Sequence, residues 1–479
     1  MLFNSYIFVL LFLPISVCGY FLLNTFVCNK IAKIFLVGMS LWFYAYFNVY
    51  YLPIIVISIL ANYFLSCVIN KMTNERSRKI TLILTIILNL ASIFYFKYYD
   101  FFIQNMNEIL KTEYTLLNLV LPLGISFFTF QQIGYQIDHY REREQYNFWD
   151  YTLFVTFFPQ LIAGPIVTHK EIIPQFENVE NQKVSFGNIE KGITIFILGL
   201  AKKVLIADVI GNVANYGFAN IDVMNTISAL FVILAYTFQI YFDFSGYSDM
   251  AIGIGYMFNI RLPQNFDSPY KAYSVREFWK RWHITLTRFL REYIYIPLGG
   301  NRKGQYRTYV NTMIVYFFSG LWHGANWTFL LWGILHGLAC ALESHFKDKI
   351  DKIHYGLRWI VTFIFINITW VYFRADSIAS ANKLLSKLFF IDIGSIPQEM
   401  LNVFDLPELM WMVRLGLPML FLFVFIYCIL LWIVLGTRNL YEKSQQIQLS
   451  VLKGILLGGV LVLSILSFSR VSTFLYFNF

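Results

Sequence analysis

The sequence predicts an all-α polytopic membrane protein, and three observations lead to that class. Hydrophobic residues make up 58% of the 479 positions. Charged residues make up only 14%, against about a quarter in a soluble domain. The basic excess, 37 Lys and Arg against 28 Asp and Glu, falls in short clusters between apolar runs, as is typical of membrane loops. A soluble enzyme, a coiled coil or a disordered chain is therefore excluded, and nucleic-acid binding is disfavoured.

Apolar runs without Asp, Glu, Lys or Arg recur along the chain, and a helix needs about 20 such residues to cross the hydrocarbon layer. The long runs are 1–29, 34–70, 115–137, 151–168, 223–242, 308–342 and 415–437. Shorter runs are marginal as spans, at 80–96, 192–213, 244–260, 359–373 and 454–469. We predict about 11–13 membrane helices, including re-entrant or interfacial segments. They are expected to form a single integral membrane domain over 1–479.

The orientation of the spans follows from the charges between them. Residues 1–29 contain no Lys or Arg and no small-residue cleavage site, so this segment is expected to be retained as the first span. Lys30 and Lys33 follow it, which places them in the cytoplasm by the positive-inside rule. The segment 389–409 carries four acidic residues and no Lys or Arg, and we expect it on the outer face.

Motifs for the common enzyme chemistries are absent from the sequence. The five cysteines are scattered through apolar runs, so neither a disulfide framework nor a zinc site is predicted. There is no HExxH, Walker loop or dinucleotide fingerprint, and no GxSxG nucleophile elbow. We therefore predict no metal and no tightly bound cofactor.

The most informative region is 261–345, which we take as the catalytic core. Ser274 followed by Glu277 forms a capping box, which predicts a helix start. A helical wheel over 274–296 places the aromatic side chains in one arc and most of the Lys and Arg outside it. This pattern favours one amphipathic helix at the cytoplasmic interface. His283 lies at the border of the apolar arc, either as an incidental residue of a headgroup anchor or as a functional group.

A second unusual stretch is 319–327, Ser-Gly-Leu-Trp-His-Gly-Ala-Asn-Trp, inside 35 residues without acid, Lys or Arg. An ionisable ring at membrane depth is costly and normally faces a cavity, so His323 is a functional candidate. The alternative is a neutral histidine bonded to a neighbouring helix. His336 is better explained by packing. The other histidines neighbour charged residues and are expected in loops or at the interface; they are His139, His169, His345 and His354.

Buried imidazoles beside a basic cytoplasmic entrance suit transfer of an activated acyl group to a hydroxyl. Because an unperturbed imidazole has a pKa near 6.5, one ring can take the hydroxyl proton as general base. The basic stretch 271–307 would suit the phosphates of a coenzyme or an acidic carrier protein.

Four motifs carry a resemblance to a known family. The first is FWKRWHITL from 278, which is continued by FLREY and IPLGG. The second is GLWHGANW from 320. The others are QNFDSPY from 264 and FSGYSD from 244. Together they resemble the membrane-bound O-acyltransferase family, and within it the alginate O-acetyltransferase branch. The strong motifs cover about 240–340, with weaker similarity over most of the chain.

The resemblance implies a helical bundle with a central tunnel that joins a cytoplasmic donor site to an outer acceptor site. His323 matches the family's catalytic histidine and His283 its second motif histidine. We expect His323 to act as the base and His283 as a positioning or electrostatic partner. Substrate-binding roles are expected for Trp282, Trp322, Asn326, Trp327, Lys280 and Arg281.

The resemblance also implies an activity. It is the transfer of an acetyl group from cytoplasmic acetyl-CoA across the bacterial inner membrane, for O-acetylation of a cell-surface or exported polysaccharide. An extracytoplasmic acetyltransferase and the glycan synthesis machinery are expected as partners. One alternative is transfer of D-alanyl or another acyl group from a carrier protein to a cell-wall polymer. A transporter is less favoured, because no repeated halves are visible.

Overall fold

The computed structural model describes residues 1–404, 418–437, 439–444, 450–470 and 474–475. In this part of the chain the regular structure is helical, and the β-pairing consists of one isolated bridge between Phe266 and Trp282. The predicted all-α class is confirmed. Residues 405–409 of the expected outer segment lie outside the described residues, so its placement stays a prediction.

Seven helices among the described residues are long and apolar enough to cross a membrane. They are Phe8–Phe26, Val49–Lys71, Glu75–Leu110, Thr226–Met257, Trp327–His345, Tyr355–Arg374 and Met419–Gly436. The remaining predicted segments form shorter or more polar helices. The run 151–168 does not form the predicted long span, because Phe157 is extended between two short helices, Phe148–Thr156 and Phe158–Leu161.

The described residues group into two compact units. The first contains Met1–Leu198 and Tyr247–Gln264, and the second contains Gly199–Gly246 and the described part of Asn265–Leu475. The first unit holds α1 (Leu13–Phe26), α2 (Asn29–Ala45), α3 (Leu52–Lys71), α4 (Glu75–Ile93), α5 (Tyr99–Leu110), α6 (Ile125–Glu142), α7 (Phe148–Thr156), α8 (Phe158–Leu161) and α9 (His169–Glu177). Two further helices, α10 (Phe186–Ala201) and α12 (Thr226–Met257), supply residues to both units. The single domain predicted over 1–479 stays a prediction.

The second unit holds α11 (Asp208–Ala219) and the helices that follow α12. They are α13 (Val275–Arg281), α14 (Ile284–Leu290), α15 (Gln305–His323), α16 (Trp327–His345), α17 (Lys347–Ile350), α18 (Tyr355–Arg374), α19 (Ile378–Phe389), α20 (Gln398–Leu401), α21 (Met419–Gly436), α22 (Leu440–Ser444) and α23 (Val451–Leu466).

Two pairs of buried polar side chains connect helices of the first unit. The side chains of Asn62 in α3 and Asn89 in α4 exchange two hydrogen bonds of 3.1 and 2.8 Å. Lys33, which the sequence predicts to lie on the cytoplasmic side, is within α2, where its ammonium is 2.6 Å from the Asp150 carboxylate. A charge removed from water persists in a helix bundle only when it is paired in this way.

Helices α15 and α16 form a close antiparallel hairpin in the second unit. A Cβ on Gly320 would lie 2.4 Å from the carbonyl oxygen of Phe329, and one on Gly333 would lie 2.4 Å from that of Tyr316. Small residues of this kind let membrane helices approach closely. The hairpin places Trp322 and His323 at the end of α15, beside the start of α16.

The amphipathic helix predicted over 274–296 is wrong in its continuity. The predicted start is correct, because Ser274 Oγ accepts a 3.0 Å hydrogen bond from the Glu277 backbone N–H. However, Trp282 leaves α13 in an extended conformation and His283 has a φ of +46°. Phe266 and Trp282, which are far apart in the sequence, form a backbone bridge. This bridge ends the helix although the helical pattern of apolar residues continues. The break buries Trp282 and His283, which are 1% and 0% exposed.

Candidate active site

His323 is the last residue of α15, and an aromatic cage encloses its ring. The centroids of three neighbouring rings lie 4.8 Å away for Trp322, 5.1 Å for Trp332 and 5.0 Å for Phe373. The imidazole is 3% exposed. Helices α15, α16 and α18 therefore all contribute to its surroundings, and the ring sits in a medium of low polarity.

His283 lies at the break between α13 and α14. Its ring meets Phe244 edge-to-face at 4.8 Å and lies 5.9 Å from the ring of Trp322. The Nδ1 atom is 3.1 Å from Oδ1 of Asn265. Burial lowers the pKa of His283 to about 3, so the ring is neutral near pH 7.

Both histidines thus contact one side chain, Trp322. The contact joins two segments that are remote in sequence, the α13–α14 break and the end of α15. This arrangement brings together the two residues for which the sequence predicts catalytic roles. Their individual roles stay predictions.

A cavity of about 310 Å³ lies within the second unit. Three of its lining residues are basic, Arg276, Lys280 and Arg291, and several others carry hydroxyl groups, among them Thr287 and Ser319. Much of the remaining wall is apolar or aromatic. Such a combination of apolar walls and a few polar groups is typical of small-molecule sites.

The cavity ends close to the histidines but its lining includes neither of them. Thr287 lies one helical turn after His283, and Ser319 one turn before His323. The hydroxyl oxygens of Thr287 and Ser319 are buried and have no hydrogen-bond partner among the described residues. Polar groups of this kind favour a polar ligand in the cavity. The central tunnel implied by the resemblance stays a prediction.

The predicted substrate-binding residues occupy different surroundings. Lys280 lines the cavity and Trp322 contacts both histidines. Trp282 packs against Trp370, with ring centroids 5.0 Å apart, and Trp327 is 55% exposed at the start of α16.

The other two predicted substrate-binding residues make contacts that stabilise local structure. Asn326 caps α16 through a 3.0 Å bond from the Thr328 backbone N–H. Arg281 pairs with Glu277 at 2.9 Å. These contacts account for both residues in structural terms, and their roles in substrate binding stay predictions.

His336 is held at both ring nitrogens. Trp279 Nε1 donates to Nδ1 at 3.1 Å, and Nε2 is 3.1 Å from Oγ1 of Thr369. Because the Thr369 hydroxyl donates to the Ile366 carbonyl, it accepts from Nε2–H. A neutral ring that links α13, α16 and α18 agrees with the packing role expected from the sequence.

The remaining histidines divide into two pairs. His345 and His354 are exposed, as predicted. The loop or interfacial position predicted for His139 and His169 is wrong, because they are 1% and 2% exposed. His139 lies in α6, where its ring nitrogens contact the carbonyls of Glu144 and Ser66. The neighbouring charges in sequence do not reveal this burial, since they lie on other faces of the chain.

Two kinds of residue at the site escaped the sequence reasoning. Asn265 stands in the QNFDSPY motif and contacts His283, and the hydroxyls of Ser319 and Thr287 line the cavity. The motif itself was a signal for Asn265. Among the described residues, no group of three His, Cys, Asp or Glu side chains is placed to hold a metal ion.

Comparison with known proteins decides the family. Residues 138–381 match the model of the membrane-bound O-acyltransferase family, MBOAT. The chain belongs to this family. The predicted family resemblance is confirmed, and this MBOAT protein is a multi-pass membrane O-acyltransferase.

Individual relatives of this MBOAT protein act on glycan polymers according to their names. It is 42% identical to "Peptidoglycan O-acetyltransferase" of Helicobacter pylori over 100% of this chain and 98% of the relative. It is 38% identical to "Probable alginate O-acetylase AlgI" of Pseudomonas aeruginosa over 81% of this chain and 75% of the relative. It is 24% identical to "Teichoic acid D-alanyltransferase" of Bacillus subtilis over 52% of this chain and 67% of the relative.

Proposed function

We propose that this protein moves an acetyl group from cytoplasmic acetyl-CoA across the bacterial inner membrane for O-acetylation of a cell-surface or exported polysaccharide. The observation that carries the proposal is the 42% identity to a peptidoglycan O-acetyltransferase over the whole chain. Peptidoglycan is accordingly the favoured acceptor polymer. An extracytoplasmic acetyltransferase and the glycan synthesis machinery are the expected partners.

The cavity supports a thioester donor that carries phosphate groups. Arg276, Lys280 and Arg291 supply positive charge at its wall, and such side chains form charge-assisted bonds to phosphate oxygens. A volume of about 310 Å³ is at the lower end of the range of ligand pockets. It suits the narrow thioester arm of the donor, with the nucleotide outside.

The proposed reaction uses His323 as general base. Its neutral ring takes the proton of an acceptor hydroxyl, and the oxygen attacks the thioester carbonyl carbon. The C–S bond then breaks, and the leaving sulfur receives the proton from the imidazolium, so that an acetyl ester and free thiol result. Because the ring is 3% exposed, access of both substrates requires an aromatic side chain of the cage to move.

Transfer of a D-alanyl group from a carrier protein is the second candidate. Its support is the similarity to teichoic acid D-alanyltransferases, 24% identity over 52% of this chain for the Bacillus subtilis protein. The basic cavity wall would also suit the phosphate that joins such a carrier to its thioester arm. The identity of the ester on the polymer separates the two candidates.

The test is complementation of a bacterial strain that lacks O-acetyl esters on its surface polymers. Strains would carry the wild-type protein, His323→Ala or the exposed-histidine control His345→Ala, and mass spectrometry of the polymers would identify the ester. We expect acetyl esters with the wild type and the control, and none with His323→Ala at equal membrane levels. Normal acetylation by His323→Ala would refute the role of the base, and alanyl esters would favour the second candidate.

The donor is tested separately in isolated membranes. Vesicles containing the protein would receive radiolabelled acetyl-CoA or labelled acyl-carrier protein from the cytoplasmic side. We expect label to appear in polymer or in an extracytoplasmic intermediate with acetyl-CoA alone. Labelling from the carrier protein and not from acetyl-CoA would overturn the proposed donor.

A further inference from the structure

The amide of Asn265 has a defined orientation. Its oxygen Oδ1 lies 3.2 Å from the backbone nitrogen of Thr285, which can only donate. The hydroxyl of Thr285 lies 2.9 Å from the same oxygen. The atom that faces this backbone N–H must therefore be the amide oxygen, since an NH₂ group there would place two donors in contact.

This orientation determines the protonation of the neighbouring imidazole. His283 Nδ1 is 3.1 Å from the same oxygen, and an amide oxygen only accepts hydrogen bonds. A hydrogen bond at this distance consequently requires the proton on Nδ1. In the neutral ring, Nε2 then carries the lone pair.

The backbone around the two residues holds them in register. The Ile284 backbone N–H donates to the Asn265 carbonyl at 3.0 Å, and the Asp267 N–H donates to the Arg281 carbonyl at 2.9 Å. Asn265 and His283 are both fully buried, at 0% exposure. Their contact is therefore protected from competition by water.

The conformation of His283 adds a second, independent observation. A φ of +46° is uncommon for a non-glycine residue and is a strained backbone conformation. Such strain persists where the surrounding structure requires it, and it concentrates at functional sites. Here it allows the ring to meet Asn265 on one side while it contacts Phe244 and Trp322.

We infer that Asn265 is a positioning residue that holds His283 as the Nδ1–H tautomer, with Nε2 as a hydrogen-bond acceptor for a second hydroxyl of the acceptor, next to the one that reacts. The inference rests on the proposed acyl transfer for the identity of that hydroxyl. It fixes the hydrogen-bonding role of His283 Nε2. In the neutral ring this atom accepts a hydrogen bond and cannot donate one to the thioester oxygen. His283 thereby orients the acceptor through this second hydroxyl, while His323 takes the proton of the reacting hydroxyl.

A purely structural role for Asn265 makes different predictions. In that case its amide would connect the 265–267 segment to the first turn of α14 through Thr285. Either tautomer of His283 would then be compatible with the role of Asn265. Loss of the amide would then lower stability without changing which ring nitrogen carries the proton.

The experiment is nitrogen NMR of the ¹⁵N-histidine-labelled full-length protein in lipid bilayers, because the two tautomers have distinct ¹⁵N shifts. The signals of His283 are assigned by their loss in His283→Gln. We expect protonated Nδ1 and unprotonated Nε2 in the wild type. A wild-type ring protonated at Nε2 alone overturns the inference, whatever any variant does.

Two variants at position 265 and one control connect the tautomer to turnover. Asn265→Asp keeps an oxygen acceptor and should keep the Nδ1–H signal, whereas Asn265→Leu should lose it and lower kcat by about tenfold or more, as loss of a supporting partner does elsewhere. Thr285→Val removes one donor to the same oxygen and should leave the tautomer intact. An unchanged tautomer in Asn265→Leu overturns the inference.

The two proposals fail in distinguishable ways. If His323→Ala retains O-acetylation, the proposed base is refuted, yet the tautomer of His283 can still be read from the NMR signals. If His323→Ala is inactive but Asn265→Leu keeps both the Nδ1–H signal and full turnover, only the role of Asn265 is refuted.

Discussion

The indole ring of Trp322 lies 5.9 Å from the imidazole of His283, although the two residues come from separate helical segments. Trp322 also lies 4.8 Å from its neighbour His323. One bulky side chain thus contacts both of the rings that are expected to act on the acceptor. A change at this position should affect their spacing more than the chemistry of either ring.

Replacement of Trp322 is the first prediction. Trp322→Ala should remove the ring that both histidines contact and lower acyl transfer by more than about tenfold, because small misplacements of reacting groups are costly. Trp322→Phe keeps an aromatic ring and should lose less. The measurement is acetyl ester per unit of membrane protein. Equal, wild-type activity in both variants would show that Trp322 does not set the geometry.

The second prediction separates two adjacent cations. Lys280 lines the cavity, whereas Arg281 is paired with Glu277 at 2.9 Å. Lys280→Ala should raise the KM for acetyl-CoA by about tenfold with little change in kcat, since a bond to a charged group contributes roughly 1.5–3 kcal/mol and screening by salt lowers that value. Lys280→Arg should restore much of the affinity.

Arg281→Ala is the matched comparison, measured in the same vesicles. If Arg281 acts chiefly through its contact with Glu277, the KM should stay near the wild-type value. If the KM rises in Arg281→Ala and not in Lys280→Ala, the donor is recognised by Arg281 and not by Lys280 at the cavity wall. The sequence predicts a substrate-binding role for either residue.

These predictions show which parts of the site could be read from the sequence. His323 was visible because an ionisable residue in a long apolar run is itself a local signal. The cap at Ser274 was equally local. The break at His283 was not, because the apolar arc continues across 282–283 and only pairing with the distant 265–267 segment ends the helix.

The remaining misses have the same physical origin. The burial of Lys33 depends on its partner Asp150, which lies far along the chain. The contact between Asn265 and His283 and the shape of the cavity also depend on tertiary packing. Periodicity and capping rules describe neighbours in sequence, so they cannot predict which remote side chains meet.

The third prediction concerns the packing of α15 on α16. Gly320→Ala should destabilise the protein by about 1–3 kcal/mol, the usual cost of an added group in a packed interface, because its Cβ would lie 2.4 Å from a backbone oxygen. Gly458→Ala is the control, since no atom of the described residues lies within 4 Å of a Cβ there. Thermal unfolding in detergent measures both, and equal transition temperatures would contradict the close approach.

The last prediction concerns a buried ion cluster next to the site. Lys203 Nζ lies 2.7 Å from Asp208 and 2.6 Å from Asp243, and these side chains are 3%, 5% and 2% exposed. Asp243 also accepts a 3.0 Å bond from the Leu475 backbone N–H. It directly precedes Phe244, whose ring contacts His283.

Lys203→Met should destabilise the protein by about 3–5 kcal/mol, because removal of one partner leaves a buried charge uncompensated. The double variant Lys203→Met with Asp243→Asn should recover part of this loss, since it also removes one of the two carboxylates. Lys183→Met is the control, because Lys183 pairs with Glu180 at the exposed surface and exposed pairs contribute little. Thermal unfolding and acyl transfer would be measured together. If Lys203→Met unfolds at the temperature of the control, the cluster does not stabilise the segment that carries Phe244, and its proximity to His283 has no energetic consequence.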